Sequence, residues 1–269
     1  MKKVVKALSL AIAGIMLVGS IGCNKTENDV PDNNTTAQIN SSSYTVQQGK
    51  LIWATNASFE PYEYVEGNEV VGIDAEIAEA IGAKLGLEVQ VENMDFDAVI
   101  PSIVSGKVDI GLAGMTVNAE RLKNVDFSTP YVDAGQAIIV KEGSSISSVA
   151  DLEGKIVGVQ RGTTGDEYVS STENNVNVAS VERFANVPDI AQSLLTDKID
   201  AIVLDNEPAK KMVATNESLI KLDENLTSEE YAISIAKGNE ELLNKINDAL
   251  NEMKENGELQ AILDKYLAE

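Results

Sequence analysis

Ser102-Ile-Val-Ser-Gly-Lys-Val-Asp-Ile-Gly-Leu-Ala-Gly114 aligns without a gap on Ser193-Leu-Leu-Thr-Asp-Lys-Ile-Asp-Ala-Ile-Val-Leu-Asp205. Ser, Lys and Asp coincide, and most other positions stay apolar or small. Each segment reads as the end of a helix, a tight turn at Gly106-Lys107 or Asp197-Lys198, then a buried strand. One reading is that any two αβ units look somewhat alike. The sharper one is a pair of similar α/β lobes, each ending a strand at a shared crevice. Ligands bind outside the carboxyl ends of strands in such sheets, which marks Gly114 and Asp205 as the places to search.

Working outward, short apolar strands alternate with amphipathic helices from Lys50 onward, the signature of an α/β fold. Strands are expected at Leu51–Thr55, Leu87–Val91, Val108–Ala113, Ala137–Val140, Lys155–Val159, Asp200–Leu204 and Ala232–Ala236. Asp74 is expected to cap a helix reaching Leu85, with Ile77, Ala78, Ile81 and Leu85 on one face. Further helices are expected at 97–104, 164–171, 188–196, 206–214, 239–255 and 257–267, with Gly257 separating the last two.

Ahead of this body, Lys2, Lys3 and Lys6 precede an apolar run from Ala7 to Gly22, then Cys23, the single cysteine. The run is short and glycine-containing for a membrane span, so residues 1–22 read as a secretion signal. Ser20-Ile-Gly-Cys23 resembles a lipobox, with Ser20 where that pattern usually has Leu, so Cys23 is the expected lipidation site. Residues 23–43 form a polar linker. The body is then expected to be tethered outside the cytoplasmic membrane. The alternative for Cys23, a buried free thiol, fits poorly at the end of a signal segment.

Composition narrows the chemistry. The chain of 269 residues carries 43 acidic side chains against 21 Lys plus Arg, a formal charge of −22, or −25 once the signal lysines are removed. So acidic a chain repels phosphate backbones, and with 4% aromatics it has little material for base stacking, so no nucleic-acid partner is expected. There is no His, which removes Ser-His-Asp and Cys-His nucleophiles and His-ligated metals. No cofactor and no metal site are expected. Ser218-Leu-Ile-Lys221 has Ser-x-x-Lys spacing, but the companion motifs are missing.

The candidate site residues cluster after the strand ends. In Ala113-Gly-Met-Thr-Val-Asn-Ala-Glu-Arg121, Gly114 permits close backbone approach, Thr116 offers a hydroxyl, and Asn118 is placed to cap a short helix carrying Arg121. The Arg121 guanidinium matches a carboxylate, the alternative being a surface ion pair with Glu120 or Asp126. Asp205 is placed to receive an ammonium, or else to cap the helix beginning near Asn206. Gly158-Val-Gln-Arg-Gly-Thr-Thr-Gly165 follows a strand and opens a helix, so its N–H groups and Thr164 suit an anionic oxygen. It lacks the phosphate-loop and dinucleotide spacings. Four of twelve aromatics fall within Trp53–Tyr64. Trp53 and Tyr64 read as core, Phe59 as a pocket wall, and Phe96 as the opposite wall or a helix-start staple.

With ATNASFEPYEY (54–64), VGIDAEIAEAIGAKLG (71–86), the stretch from Met94 to Tyr131, GVQRGTTG (158–165) and AIVLD (201–205), the chain from Lys50 onward resembles bacterial amino-acid-binding proteins. These are the extracytoplasmic receptors of ABC importers, and the likeness is greatest to the glutamine, histidine and lysine/arginine/ornithine group. The resemblance implies a two-lobed, type II periplasmic-binding-protein-like α/β fold, with lobe 1 at 44–134 plus 231–269 and lobe 2 at 135–230. Hinge crossings are implied near 131–137 and 229–234. It implies that Arg121, helped by Thr116 and Thr164, clamps the ligand carboxylate. Asp205 and the Gly114 carbonyl receive the α-ammonium. Phe59 and Phe96 are aromatic walls, and Asn56, Ala113, Gln160, Thr163 and Leu204 complete the pocket.

The implied partners are a free amino acid, held by lobe closure of a monomer, and the permease of an ABC importer. Asn56 stands where receptors for basic amino acids often have an acid, and Gln160 where the glutamine receptor has a Lys. An uncharged, glutamine-like cargo is therefore expected. A basic one remains open, since arginine receptors also carry Gln there and Glu60 or Glu63 is available to face a cation. A sensor using the same closure is a further alternative. So is an enzyme of the cyclohexadienyl dehydratase kind with a cleft acid such as Glu60, although the expectation is that the chain is not an enzyme.

Overall fold

The computed structural model describes residues 43–267; the segment expected to be a secretion signal, Cys23 and the expected linker up to residue 42 lie outside the described residues. The buried strand β1 (Lys50–Thr55) is followed by a small antiparallel ladder of β2 (Ser58–Phe59), β3 (Glu63–Glu66) and β4 (Glu69–Val71). Helix α1 (Ile73–Leu85) buries Ile77, Ala78 and Ile81, one stripe of an amphipathic pattern, and Gly86 stops it in the left-handed conformation, φ 67°. Next come β5 (Glu88–Asn93), α2 (Phe96–Val104), β6 (Ile110–Gly111) and β7 (Val125–Phe127).

The second half opens with β8 (Val132–Ala134), β9 (Gln136–Lys141) and β10 (Ile156–Gln160). It continues through α3 (Thr164–Ser170), β11 (Ser180–Phe184), α4 (Val187–Leu195), β12 (Ala201–Asp205), α5 (Asn206–Thr215) and β13 (Leu219–Lys221). The return runs through β14 (Glu229–Tyr231), β15 (Ser234–Ala236), α6 (Glu240–Glu255) and α7 (Glu258–Leu267).

Two five-stranded mixed sheets organise these elements into two lobes. Their orders are β5-β1-β6-β15-β7 and β11-β10-β12-β9-β13. The chain passes from the first sheet to the second along β8 and returns along β14, and these two crossings pair with each other antiparallel. The second sheet is sequence-continuous from β9 to β13, whereas the first regains β15 after the return.

The internal similarity has a structural cause. Gly106 and Asp197, aligned with each other, both adopt left-handed backbone, φ 69° and 57°. Lys107 N donates to Ser102 O at 2.9 Å and Lys198 N to Ser193 O at 3.0 Å, so both helices end in the same closing turn. The aligned aspartates do the same work in each lobe. Asp109 Oδ2 accepts from Ile52 N at 2.7 Å and Asp200 Oδ2 from Ile156 N at 2.8 Å, each fixing the start of the neighbouring strand.

Local expectations needed correction at several places. Gly72, with φ 122° and a Cβ position only 2.3 Å from the Tyr62 carbonyl oxygen, is the cap of α1. Asp74 instead lies inside the first turn with its carboxylate buried. Tyr64 is only half-buried, because β3 turns that face toward solvent, while Trp53 is core at 3% exposure. β6 is shorter than 108–113 because Gly114, φ 52°, turns the chain out of the sheet just beyond it. Strands β2 to β4, β7, β8, β11, β13 and β14 are additional; most are three to five residues long, too short for a period-two pattern to stand out.

Candidate functional site

Between the lobes lies a narrow, partly open cavity, with about 280 Å³ of non-atom space once the solvent at its mouth is included. Its walls come from both sheets' carboxyl ends and adjoining loops. Eleven of the twelve residues singled out in the sequence line it: Asn56, Phe59, Phe96, Ala113, Gly114 and Thr116, with Arg121, Gln160, Thr163, Thr164 and Asp205. Leu204 lies in the hydrophobic core instead, 2% exposed. Successive residues of a strand point to opposite faces, so β12 cannot aim both Leu204 and Asp205 into the cavity. Glu63 joins the lining set. Glu60 lines a separate outer groove with Ala57, Tyr64 and residues of α4 and α5, away from the cavity.

Arg121 is held as a buried cation without an ion pair among the described residues. Asn118 Oδ1 accepts from its backbone N at 2.8 Å, fixing the short turn that carries it. Its Nη1 donates to Thr116 O at 2.7 Å and its Nη2 to Gly162 O at 3.1 Å, the second bond crossing to the other lobe. The guanidinium lies 5.3 Å from the centre of the Phe96 ring. Burial lowers its pKa, with Glu167, Asp205 and Glu229 pulling the other way; an arginine stays charged regardless. Two backbone acceptors leave further N–H donors of the fork for an anion.

Asp205 faces it from lobe 2. Its side chain makes no cap bond to α5 and instead accepts from the Tyr231 hydroxyl. Burial first, and then the Glu229 charge, push its pKa up to about 7, against the hydrogen bonds from Tyr231 and Gln136. Gly114 N donates to Asp74 Oδ2 at 2.8 Å, and Tyr131 OH to the same oxygen at 3.1 Å. A Cβ at Gly114 would stand 2.6 Å from the Phe59 ring, so the glycine allows this close approach.

A buried acidic pair underlies the cavity. Glu63 is pushed well above the usual carboxylate range by burial and then by Asp74, and Asp74 is raised to about 6 by burial. Glu63 Oε2 and Asp74 Oδ1 each lack a donor, as two adjacent acceptors must unless a proton lies between them. The folded state therefore holds a proton that the unfolded chain releases above about pH 4, and stability falls as pH rises past that point. Glu63→Gln supplies the donor permanently. It is expected to raise Tm at pH 8 by roughly 2 to 4 °C, the shift made by 1 kcal/mol in a chain of this size. By pH 4 the gain should vanish, as thermal melts at the two pH values will show.

The lobes meet around the cavity. Gln160 Nε2 donates to Asn56 Oδ1 at 3.0 Å, and Asn56 Nδ2 to Met94 O at 2.8 Å. Arg161 Nη1 lies 3.6 Å from Asp97. Thr163 caps α3 through Asp166 N at 3.3 Å. Sequence reasoning missed Glu229, which accepts from Thr116 Oγ1 at 2.6 Å and Thr164 Oγ1 at 2.8 Å. It is one acid among 43, and no spacing signals it. Tyr62, Tyr131 and Tyr231, packed beside one another, were missed for the same reason.

A cavity walled by two lobes, with a buried cation from one and a buried carboxylate from the other, fits a small zwitterion. The family model of bacterial extracellular solute-binding proteins, family 3, matches residues 51–269. The chain belongs to this family. This solute-binding protein is 37% identical over 219 residues to the arginine-binding extracellular protein ArtP of Bacillus subtilis (strain 168), covering 81% of this chain and 86% of that one. It superposes on an ancestral arginine-binding protein bound to arginine with a TM-score of 0.78 at 43% identity, covering 81% of this chain and 98% of the other. The corresponding values for an ancestral arginine-binding protein bound to glutamine are 0.77 and 43%, covering 83% and 100%. Among the described residues no helix is long and apolar enough to cross a membrane.

Proposed function

We propose that this solute-binding protein captures a free L-amino acid in the inter-lobe cavity and delivers it to the permease of an ABC importer, as a monomer tethered through lipidated Cys23. Arg121 receives the α-carboxylate, while Asp205 and the Gly114 carbonyl receive the α-ammonium. The cargo favoured is arginine. Charge balance carries that choice: a zwitterion offsets Arg121 and Asp205 only, whereas the acidic pair Glu63 and Asp74, sharing one proton, leaves one further negative charge beside the cavity. A net-positive ligand compensates it, and buried charge without compensation is costly. The arginine-binding relatives support the same choice.

Glutamine is the second reading, favoured by the uncharged Asn56 and Gln160 in the wall and by the glutamine-bound ancestral protein. Capture without turnover is proposed, the relatives' names being those of binding proteins and the outlying position of Glu60 removing the acid named for a dehydratase.

Thermal melts of refolded, ligand-stripped protein against all common amino acids test the reading. At a hundred times Kd the bound amino acid adds about 2.7 kcal/mol, a Tm gain of roughly 5 to 10 °C. The gain is expected for arginine, a smaller one for glutamine, and none for alanine or glutamate. A flat panel overturns the amino-acid reading.

A further inference from the structure

We propose that Arg161 is an ionic latch on the closed state: it joins Asp95 and Asp97 across the cleft and slows release of the cargo without touching it. The inference rests on the reading above that lobe closure holds the cargo. Among the described residues, the ion pairs of Arg161 are the ones that join lobe 2 to lobe 1, and the rest lie within a lobe. Its Nη1 lies 3.6 Å from Asp97 Oδ2 and 4.0 Å from Asp95 Oδ2. Gln160 to Asn56, Arg121 to the Gly162 carbonyl and Asn118 to Glu167 also cross the cleft, but as hydrogen bonds.

Two short loops make the placement. In Asp95-Phe96-Asp97 and in Gln160-Arg161-Gly162, Phe96 and Gln160 are buried and line the cavity, while Asp95, Asp97 and Arg161 are exposed beside it. A Cβ at Gly162, φ 75°, would stand 3.1 Å from Asp97 Cβ, so the glycine lets the loops touch. Neither Arg161, Asp95 nor Asp97 has another side-chain partner among the described residues, and Asp95 makes no cap bond to α2. With the lobes apart, the two carboxylates stand uncompensated at the start of α2, and the guanidinium has no partner in its own lobe. Closure brings one cation to both. The attraction therefore favours the closed state alone, and release, which needs opening, has to break it. Encounter of cargo with the open chain does not involve the pair, so the latch acts on koff and leaves kon to diffusion.

Stopped-flow measurement of L-arginine binding and release at two salt concentrations tests the latch. Arg161→Gln is expected to raise koff about threefold to fivefold at about 20 mM NaCl, the scale of an exposed ion pair, and to match the wild type at about 0.5 M, where the pair is screened. The double change Asp95→Asn, Asp97→Asn keeps a capping residue at 95 and should raise koff by the same factor. Combining all three changes should add nothing further, since they remove one interaction. Long-range attraction of a cationic cargo has a different signature: the arginine and aspartate variants would shift kon in opposite directions with koff unchanged. That pattern, a change in koff that salt does not erase, or multiplying losses in the combined variant overturns the latch. If no amino acid binds, the cargo reading fails separately, and small-angle X-ray scattering of the ligand-free chain reads the latch instead. The wild type at low salt should then be more compact than Arg161→Gln, with the two converging at high salt, and identical profiles at low salt overturn the proposal.

Discussion

Arg121→Ala is expected to raise the Kd of the bound amino acid by roughly thirtyfold to several thousandfold, the equivalent of about 2 to 5 kcal/mol for truncating one partner of a buried, hydrogen-bonded charge pair. The magnitude follows from how the guanidinium is held. It is 7% exposed, anchored by two backbone carbonyls and laid over Phe96, so it meets the ligand already oriented and desolvated. Arg121→Lys keeps the charge but loses the planar fork, and should fall between the two. Calorimetry reads both. Near-ultraviolet circular dichroism checks that the fold is kept, since the Thr116 and Gly162 carbonyls lose their donor as well.

Binding is expected to weaken as pH falls through about 7. Asp205 titrates near that value because it is buried and faces Glu229, and only its carboxylate form receives an ammonium. The bound ammonium favours the charged carboxylate and lowers its pKa. Above pH 7 affinity should therefore be flat. Below it the ligand must displace a proton, and affinity should drop by up to tenfold per pH unit until the liganded pKa is reached. Calorimetry at pH 7 in buffers of different ionisation enthalpy should detect the released proton. Asp205→Asn should lose affinity by about a hundredfold, again within the cost of breaking a buried pair, and should abolish the proton release. Asp74 titrates lower, near 6, so any step left in Asp205→Asn near that pH belongs to the Glu63 and Asp74 pair.

The residues that face the cavity along regular strand ends were legible before the structure. Gly114 and Asp205 are marked as places to search by the internal similarity, and the same turn and the same strand-starting aspartate do recur in both lobes. Arg121 and its Asn118 support follow from a local turn. What escaped detection depends on distant pairing. Glu229 meets Thr116 across 113 positions of sequence, and Tyr231 reaches Asp205 across 26. Tertiary approach of this kind leaves no periodic trace. Asp74 illustrates the converse: its sequence position suits a helix start, but the backbone N–H of Gly114 and the Tyr131 hydroxyl claim its carboxylate. Leu204 was misplaced although strand alternation alone excludes it.

The most direct test of the account is titration calorimetry of refolded protein with L-arginine, with agmatine, which lacks the carboxylate, and with 5-guanidinopentanoate, which lacks the amine. One-to-one arginine binding that falls at least thirtyfold with either analogue is the expected result, because Arg121 and Asp205 each lose their partner. Analogues binding as tightly as arginine would contradict the assignment of the two buried charges to the two ends of one amino acid.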